Sequence, residues 1–203
     1  MNPYAQGGWY NPSNPHTINT VPYGGGGSAG PSIFGALPRQ QGPTATVLTF
    51  HFVCWKPDPL SCMITGPNSV PYLEVATVMN GAVATTVFRK SDGRVLAAIE
   101  WGHTPTVEIQ QILPKQPVAH WLRASGFDRT RRAMNIGGKE VNWVTLPTGT
   151  SAFSYAQPNV PLVRIHKGPQ AVTLELTTEA ANAGLLEASI ITAVLLNCGR
   201  NID

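Results

Sequence analysis

The side chains able to do chemistry are few and loosely spaced. The five histidines, His16, His51, His103, His120 and His166, show neither an HExxH pattern nor the i, i+4 spacing that sets two imidazoles on one helix face for a metal. His51 and Cys54 stand three apart on a predicted strand, which sends them to opposite faces and excludes joint ligation. Cys54 or Cys62 with His51 or His103 has the residue types of a nucleophile and its base, but no GxSxG or comparable elbow presents the nucleophile. Glu100 and Glu108 flank the turn from Trp101 to Thr106, where two carboxylates across a hairpin would suit acid–base work, and Arg94 or Lys90 is expected to neutralise them as surface pairs. The densest basic cluster is Arg123, Arg129, Arg131, Arg132 and Lys139, a composition suited to an anionic headgroup. Strand alternation points Arg131 and Arg132 to opposite faces, so only part of the cluster is expected to form one surface. No catalytic residue, metal ligand or cofactor is expected.

Composition narrows the classes further. The chain has 203 residues, of which 12% are charged, and a net charge of +3, too weak and dispersed to make nucleic acid the expected partner. Cys54, Cys62 and Cys198 lack CxxC spacing, as small buried hydrophobes in a reducing compartment would. With no basic and then apolar leader pattern and no glycosylation sequon, the expected location is cytoplasmic, with peripheral membrane attachment as a variant.

The elements that must position these groups change character along the chain. Residues 1–43 are rich in Gly, Pro, Asn, Ser and Tyr, with Arg39 as the one formally charged side chain, and read as a disordered tail. Its aromatics, Tyr4, Trp9, Tyr10 and Tyr23, suit a spacer, and Ile33, Phe34 and Leu37 form a small apolar cluster near its end. From residue 44 onward apolar residues recur with a period of two. Strands are expected at 46–55, 60–65, 69–78, 84–90, 94–101, 106–113, 130–136, 139–145, 149–155, 161–167 and 170–176. Ser91-Asp92-Gly93, Gly137-Gly138 and Gly168-Pro169 supply the backbone angles of tight turns between them. Val118, Trp121 and Leu122 at helical spacing predict one short helix between Pro117 and Gly126, as a cap on a barrel. Trp55, Trp101, Trp121 and Trp143 are expected to close core edges with their N–H groups reaching partners.

The chain ends in one predicted helix over 178–197, capped by Thr177 or Thr178 with Glu179 in its first turn and closed by Gly199. From Leu185 to Leu196 it is apolar on nearly every side, so it must be surrounded by lipid or by protein. Twelve residues of helix reach about 18 Å, short of the roughly 30 Å of a bilayer core, so no membrane span is expected. The alternative is that the strands close into an antiparallel barrel around the helix, which fills a lumen too wide for side chains alone. Glu187, inside the apolar run, then belongs at the barrel mouth or in a hydrogen-bonded pair.

A Gly/Pro-rich tail, about a dozen mostly antiparallel strands and a terminal hydrophobic helix resemble the Tubby-like superfamily of Tubby C-terminal domains, LURP-one-related proteins and phospholipid scramblases. Gly66-Pro67-Asn68-Ser69, Ile99-Glu100-Trp101, Trp121-Leu122, Leu174-Glu175-Leu176-Thr177 and the ending Cys198-Gly199-Arg200-Asn201-Ile202-Asp203 are similar to a fungal family defined by a domain of unknown function, abundant in mushroom-forming species. The resemblance spans residues 46–203 and implies a fold. It carries over no functional residue. The expected function is a non-enzymatic binding or scaffold module for a protein partner or an anionic phospholipid headgroup. The alternatives are a hydrolase-like enzyme with a barrel-mouth site and a scramblase-like membrane-associated protein.

Overall fold

The computed structural model describes residues 46–53, 58–126, 130–168 and 171–203. The expected tail, its apolar cluster, Cys54, Trp55, Arg129 and Pro169 lie outside the described residues. The strands are β1 (Val47–Val53), β2 (Cys62–Thr65), β3 (Pro71–Asn80), β4 (Val83–Lys90), β5 (Val95–Trp101), β6 (Thr106–Ile109), β7 (Leu113–Pro117), β8 (Leu122–Ala124), β9 (Arg131–Ile136), β10 (Lys139–Leu146), β11 (Gly149–Ser154), β12 (Pro161–Lys167) and β13 (Val172–Thr177). Among the described residues three α-helices, α1 (Val118–Trp121), α2 (Thr178–Asn182) and α3 (Leu186–Asn197), and one 3-10 turn, Pro67–Ser69, accompany them.

All 13 strands belong to one antiparallel sheet in the order β7-β6-β5-β4-β3-β2-β1-β13-β12-β11-β10-β9-β8. The first and last strands therefore pair in its middle, from Val47 opposite Thr177 to Phe52 opposite Val172. The two edge strands, β7 and β8, are neighbours in sequence, separated by α1 alone. Each lies six antiparallel steps from β1, so both run in the direction of β1 and are parallel to one another. A parallel ladder needs a crossover of a dozen or more residues, far more than the four of α1, so hydrogen bonds do not close this seam. Residues 113–124 act instead as one strand broken by α1, its first part laddered to β6 and its last part to β9.

Two sequence expectations are corrected here. The strand expected over 106–113 is two strands, because the chain reverses through Gln110 to Ile112, where Gln111 takes a positive φ of 64°. The single terminal helix is also two: Gly184, at φ 76°, ends α2, with its N–H bonded to Ala181 O and the Leu185 N–H to Ala180 O. A left-handed glycine one residue past a helix satisfies the orphan carbonyls and turns the chain. Thr177 caps α2, its Oγ1 accepting from Ala180 N at 3.2 Å, and Gly199 at φ 69° follows α3.

Ala188 through Leu195 are eight consecutive buried residues of α3, more than two turns, so every face of the helix is covered. Tyr72 on β3 bonds Glu187, and Met134 on β9 accepts from Thr192 Oγ1 at 3.6 Å. Seven strand spacings separate β3 from β9, about 34 Å on a flat sheet, whereas a helix with its side chains is about 10–12 Å across. The sheet therefore curls around α3. Its inward residues, among them Phe52, Ile64, Phe88, Ile99, Met134 and Leu174, pack with the helix into one core.

Tight turns hold the registers. Gly137 and Gly138 both take positive φ, 56° and 79°, between the paired Ile136 and Lys139, as a two-residue hairpin turn requires. Gly149 is constrained by space: a Cβ there would collide with the Ile165 carbonyl of β12. Gly149→Ala is expected to lose about 2 kcal/mol by urea denaturation from that overlap and the disfavoured φ. An unchanged midpoint would mean that β11 and β12 do not approach so closely.

Candidate anion-binding surfaces at the two ends of the sheet

Following the registers places the hairpin ends in two groups. Val53, the β3–β4 tip, Trp101, Arg131, Leu146 and Lys167 lie at one end, called upper here, with the C-terminus of α3. Pro71, Lys90, Leu113, Lys139, Pro161 and Thr177 lie at the lower end, with α2 and the start of α3.

The predicted basic cluster divides along this axis. Arg131 and Arg132 point outward and inward, as alternation requires. Arg132 is paired with the buried Trp143, its side chain only 9% exposed, and it grips the Asp203 carboxylate with two bonds of 2.8 and 2.9 Å while donating to Leu122 O at 3.0 Å. It is a structural residue, not a surface one. Lys139, at the other end of the β9–β10 hairpin, sits about 17 Å along the strand from Arg131 and donates to Ala183 O at 3.2 Å. Arg123 shares the outer face with Arg131 and lies 3.6 Å from Glu140. Of the four cluster members described, only Arg123 and Arg131 therefore share a surface.

The tertiary structure adds two cations at the upper end that the sequence cluster missed, Lys167 and Arg200, both exposed like Arg131. Arg200 stacks 4.8 Å over the Trp101 ring. Trp101 in turn donates to Thr86 Oγ1 at 2.7 Å; Thr86 and Thr77 hydroxyls lie 2.7 Å apart, and Thr77 donates to Leu60 O at 3.0 Å. The donor at the last step fixes the direction of the others, giving a satisfied polar chain that anchors the ring beneath Arg200. Exposed apolar side chains accompany these cations: Met79 at 68%, Leu146 at 49% and Val53 at 44%. Sequence spacing gave no signal for this grouping, because it draws on strands far apart in the chain.

At the lower end a β-bulge does the positioning. Ile64 pairs with Leu73 and Thr65 with Pro71, which leaves Tyr72 as an extra residue on β3 and re-aims its side chain. Tyr72 packs edge-on to Phe50, ring centroids 5.3 Å apart, and donates to Glu187 Oε1 at 3.2 Å. Burial, reinforced by the neighbouring Glu187, holds its phenol well above the usual tyrosine range. Glu187 is thus in a hydrogen-bonded pair. Beside Tyr72 lies a cleft of about 250 Å³ lined also by Met63, Glu74, Arg89, Lys90 and Ser91. A second lower cleft, about 340 Å³, lies between Lys139, Glu140 and α2.

The remaining candidates separate. Cys62 faces inward, donating to Pro59 O, while His51 faces outward, so these two do not form a nucleophile–base pair. Burial raises the Cys198 thiol, which disfavours its thiolate. Glu100 is neutralised by Lys115 at 2.6 Å, not by Arg94 or Lys90; Arg94 pairs with Asp92, whose carboxyl is held below its ordinary range chiefly by the Arg94 backbone N–H. His166 lies 3.2 Å from Glu175. Of the tryptophans, Trp101 has its N–H partner, whereas Trp121 and Trp143 are buried with none among the described residues. Among the described residues no group of three His, Cys, Asp or Glu could hold a metal, and no helix is long and apolar enough to cross a membrane.

No protein family matches this chain, and no curated protein sequence does. Among solved structures, an X-ray structure of a protein from Arabidopsis thaliana aligns at 11% identity over 72% of this chain and 90% of that chain, with a TM-score of 0.44. At that level the likeness carries no argument about function.

Proposed function

We propose that this chain is a Tubby-like barrel plugged by its terminal helix, akin to the fungal family it resembles, and that it works as a non-enzymatic binding module docking its upper end on an anionic phospholipid surface. The barrel reading is supported by the single broken strand at residues 113–124, antiparallel to both of its neighbours, and by the full enclosure of α3. With α3 occupying the interior, a ligand must be met at an end or on the outer wall.

The observation that carries the membrane reading is the coincidence of Arg131, Lys167 and Arg200 with the exposed Val53, Met79 and Leu146 at one end of the sheet. Hairpin tips reach past headgroups while basic residues stay beside the phosphates. Each cation near an anionic leaflet contributes about 1 kcal/mol, a contribution that salt screens. The cytoplasmic leaflet, where anionic lipids concentrate, is the fitting surface.

Vesicle flotation tests this. The chain should float with vesicles containing phosphatidylserine, not with phosphatidylcholine alone, and should detach as salt rises. Losing two cations in an Arg131→Ala/Lys167→Ala variant should weaken partitioning roughly thirtyfold at low salt. Equal flotation of variant and wild type would remove the upper end from consideration. Arg132 is unsuitable for this test because its loss would damage the core.

A further inference from the structure

We propose that the cleft beside the β4–β5 hairpin is a binding site for a small phosphate ester group that also carries a hydroxyl or ammonium group. Arg89 and Lys90 close β4 and are both half-buried. Neither forms an ion pair or a side-chain hydrogen bond among the described residues. The nearest acid on their own hairpin, Asp92, is engaged by Arg94 at 2.6 Å. Lys90 feels Asp92 only at a distance and Glu74 faces Arg89 without an ion pair, so two half-buried cations keep unspent donors in one cleft of about 250 Å³.

The chemistry of the lining selects the ligand. A planar guanidinium fork beside a compact ammonium matches phosphate oxygens, one cation bidentate and the other as a point charge. Glu74 stands directly opposite Arg89 across the β3–β4 ladder and lines the same cleft. Its carboxylate only accepts, so it repels a bare anion and favours a ligand with a donor next to the phosphate. Tyr72 already donates its hydroxyl hydrogen to Glu187, leaving its oxygen to accept, and its ring forms an apolar wall with Met63. The volume falls below the roughly 300–1,000 Å³ of ordinary ligand pockets, which limits the occupant to one phosphate and a few further atoms. This lower-end site is remote from the upper rim, so its fate is separable from that of the membrane reading.

Isothermal titration of the full chain at fixed ionic strength, with O-phosphoethanolamine and inorganic phosphate as probes, tests the site. Both should bind, phosphoethanolamine more tightly. Arg89→Gln and Lys90→Gln should each weaken both probes by about tenfold or more. Glu74→Gln should weaken phosphoethanolamine alone, and Arg123→Gln neither. Lys90→Arg, which keeps the charge, should retain most binding and guards against a folding defect mistaken for a lost contact. The same phosphate-and-ammonium chemistry occurs free and in lipid headgroups. Flotation with phosphatidylethanolamine vesicles that is lost in Lys90→Gln assigns the lipid source, and no such flotation assigns a soluble one. The proposal is overturned if neither probe binds wild type, or if Arg89→Gln and Lys90→Gln bind both probes as wild type does.

Discussion

Deleting residues 178–203 is expected to abolish the cooperative unfolding transition of the whole sheet. The deletion removes Leu185, Ile190, Ile191, Val194 and Leu195, all buried among inward side chains from strands around the sheet. At about 1.5–3 kcal/mol for each large apolar side chain buried, these five alone account for about 10 kcal/mol, comparable with the 5–15 kcal/mol that separates a domain from its unfolded state. The remaining strands would curl around an empty space too wide for their own side chains, so the loss extends beyond the helix. Near-UV circular dichroism and amide chemical-shift dispersion report the outcome. A truncated chain that still melted cooperatively with native dispersion would show that α3 is peripheral. A graded variant tests the same claim in a folded protein: Ile191→Ala should cost about 2–5 kcal/mol, the range for a buried large-to-small change.

The second large effect is expected at Asp203. Replacing it by Ala should destabilise the domain by about 3 kcal/mol, because removing one partner of a buried pair leaves the other charge uncompensated. The Arg132 side chain is 9% exposed and, among the described residues, keeps the Leu122 carbonyl once the carboxylate is gone, while Asp203, at 28%, is partly solvated and holds the loss near the lower end of that range. Arg132→Met in the Asp203→Ala background should recover most of the deficit, since an apolar side chain suits the inward face beside Trp143. Chemical denaturation of both single variants and the double measures the coupling. If Asp203→Ala lies within about 0.5 kcal/mol of wild type, the range of an ordinary surface change, the pair does not hold the chain end. That end matters to the fold: Arg200 stacks on Trp101 of β5 and Asp203 grips Arg132 of β9, strands on opposite sides of the seam.

Local signals accounted for most of the elements. The strands from Val83 to Trp101 and from Arg131 to Lys167 fall within a residue or two of their expected positions because one face is buried, which enforces a period of two, and because turn glycines bracket them. The terminal helix was legible from composition, since a helix without a polar face must be enclosed. Its break was not, because an isolated glycine in a helical pattern costs only about 1 kcal/mol and is often tolerated. The split of 106–113 was equally hidden: a reversal with Gln111 at positive φ lacks the usual glycine.

The candidate sites were far less legible. Period and alternation predicted that Arg131 and Arg132 diverge, and they do, but nothing nearby announced that Arg132 would meet a carboxylate 71 residues away. Nor did spacing link Arg131 with Lys167 and Arg200, or Tyr72 with Glu187. The sequence by itself determined the β class, most turns and the need to enclose the last helix, since these follow from interactions within a few residues. Only the tertiary structure decided the strand order, the parity that leaves a seam at β7 and β8, and which charges are neutralised inside and which face outward. Those depend on register and curvature summed over 13 strands, where a single bulge or one extra strand re-aims every side chain beyond it.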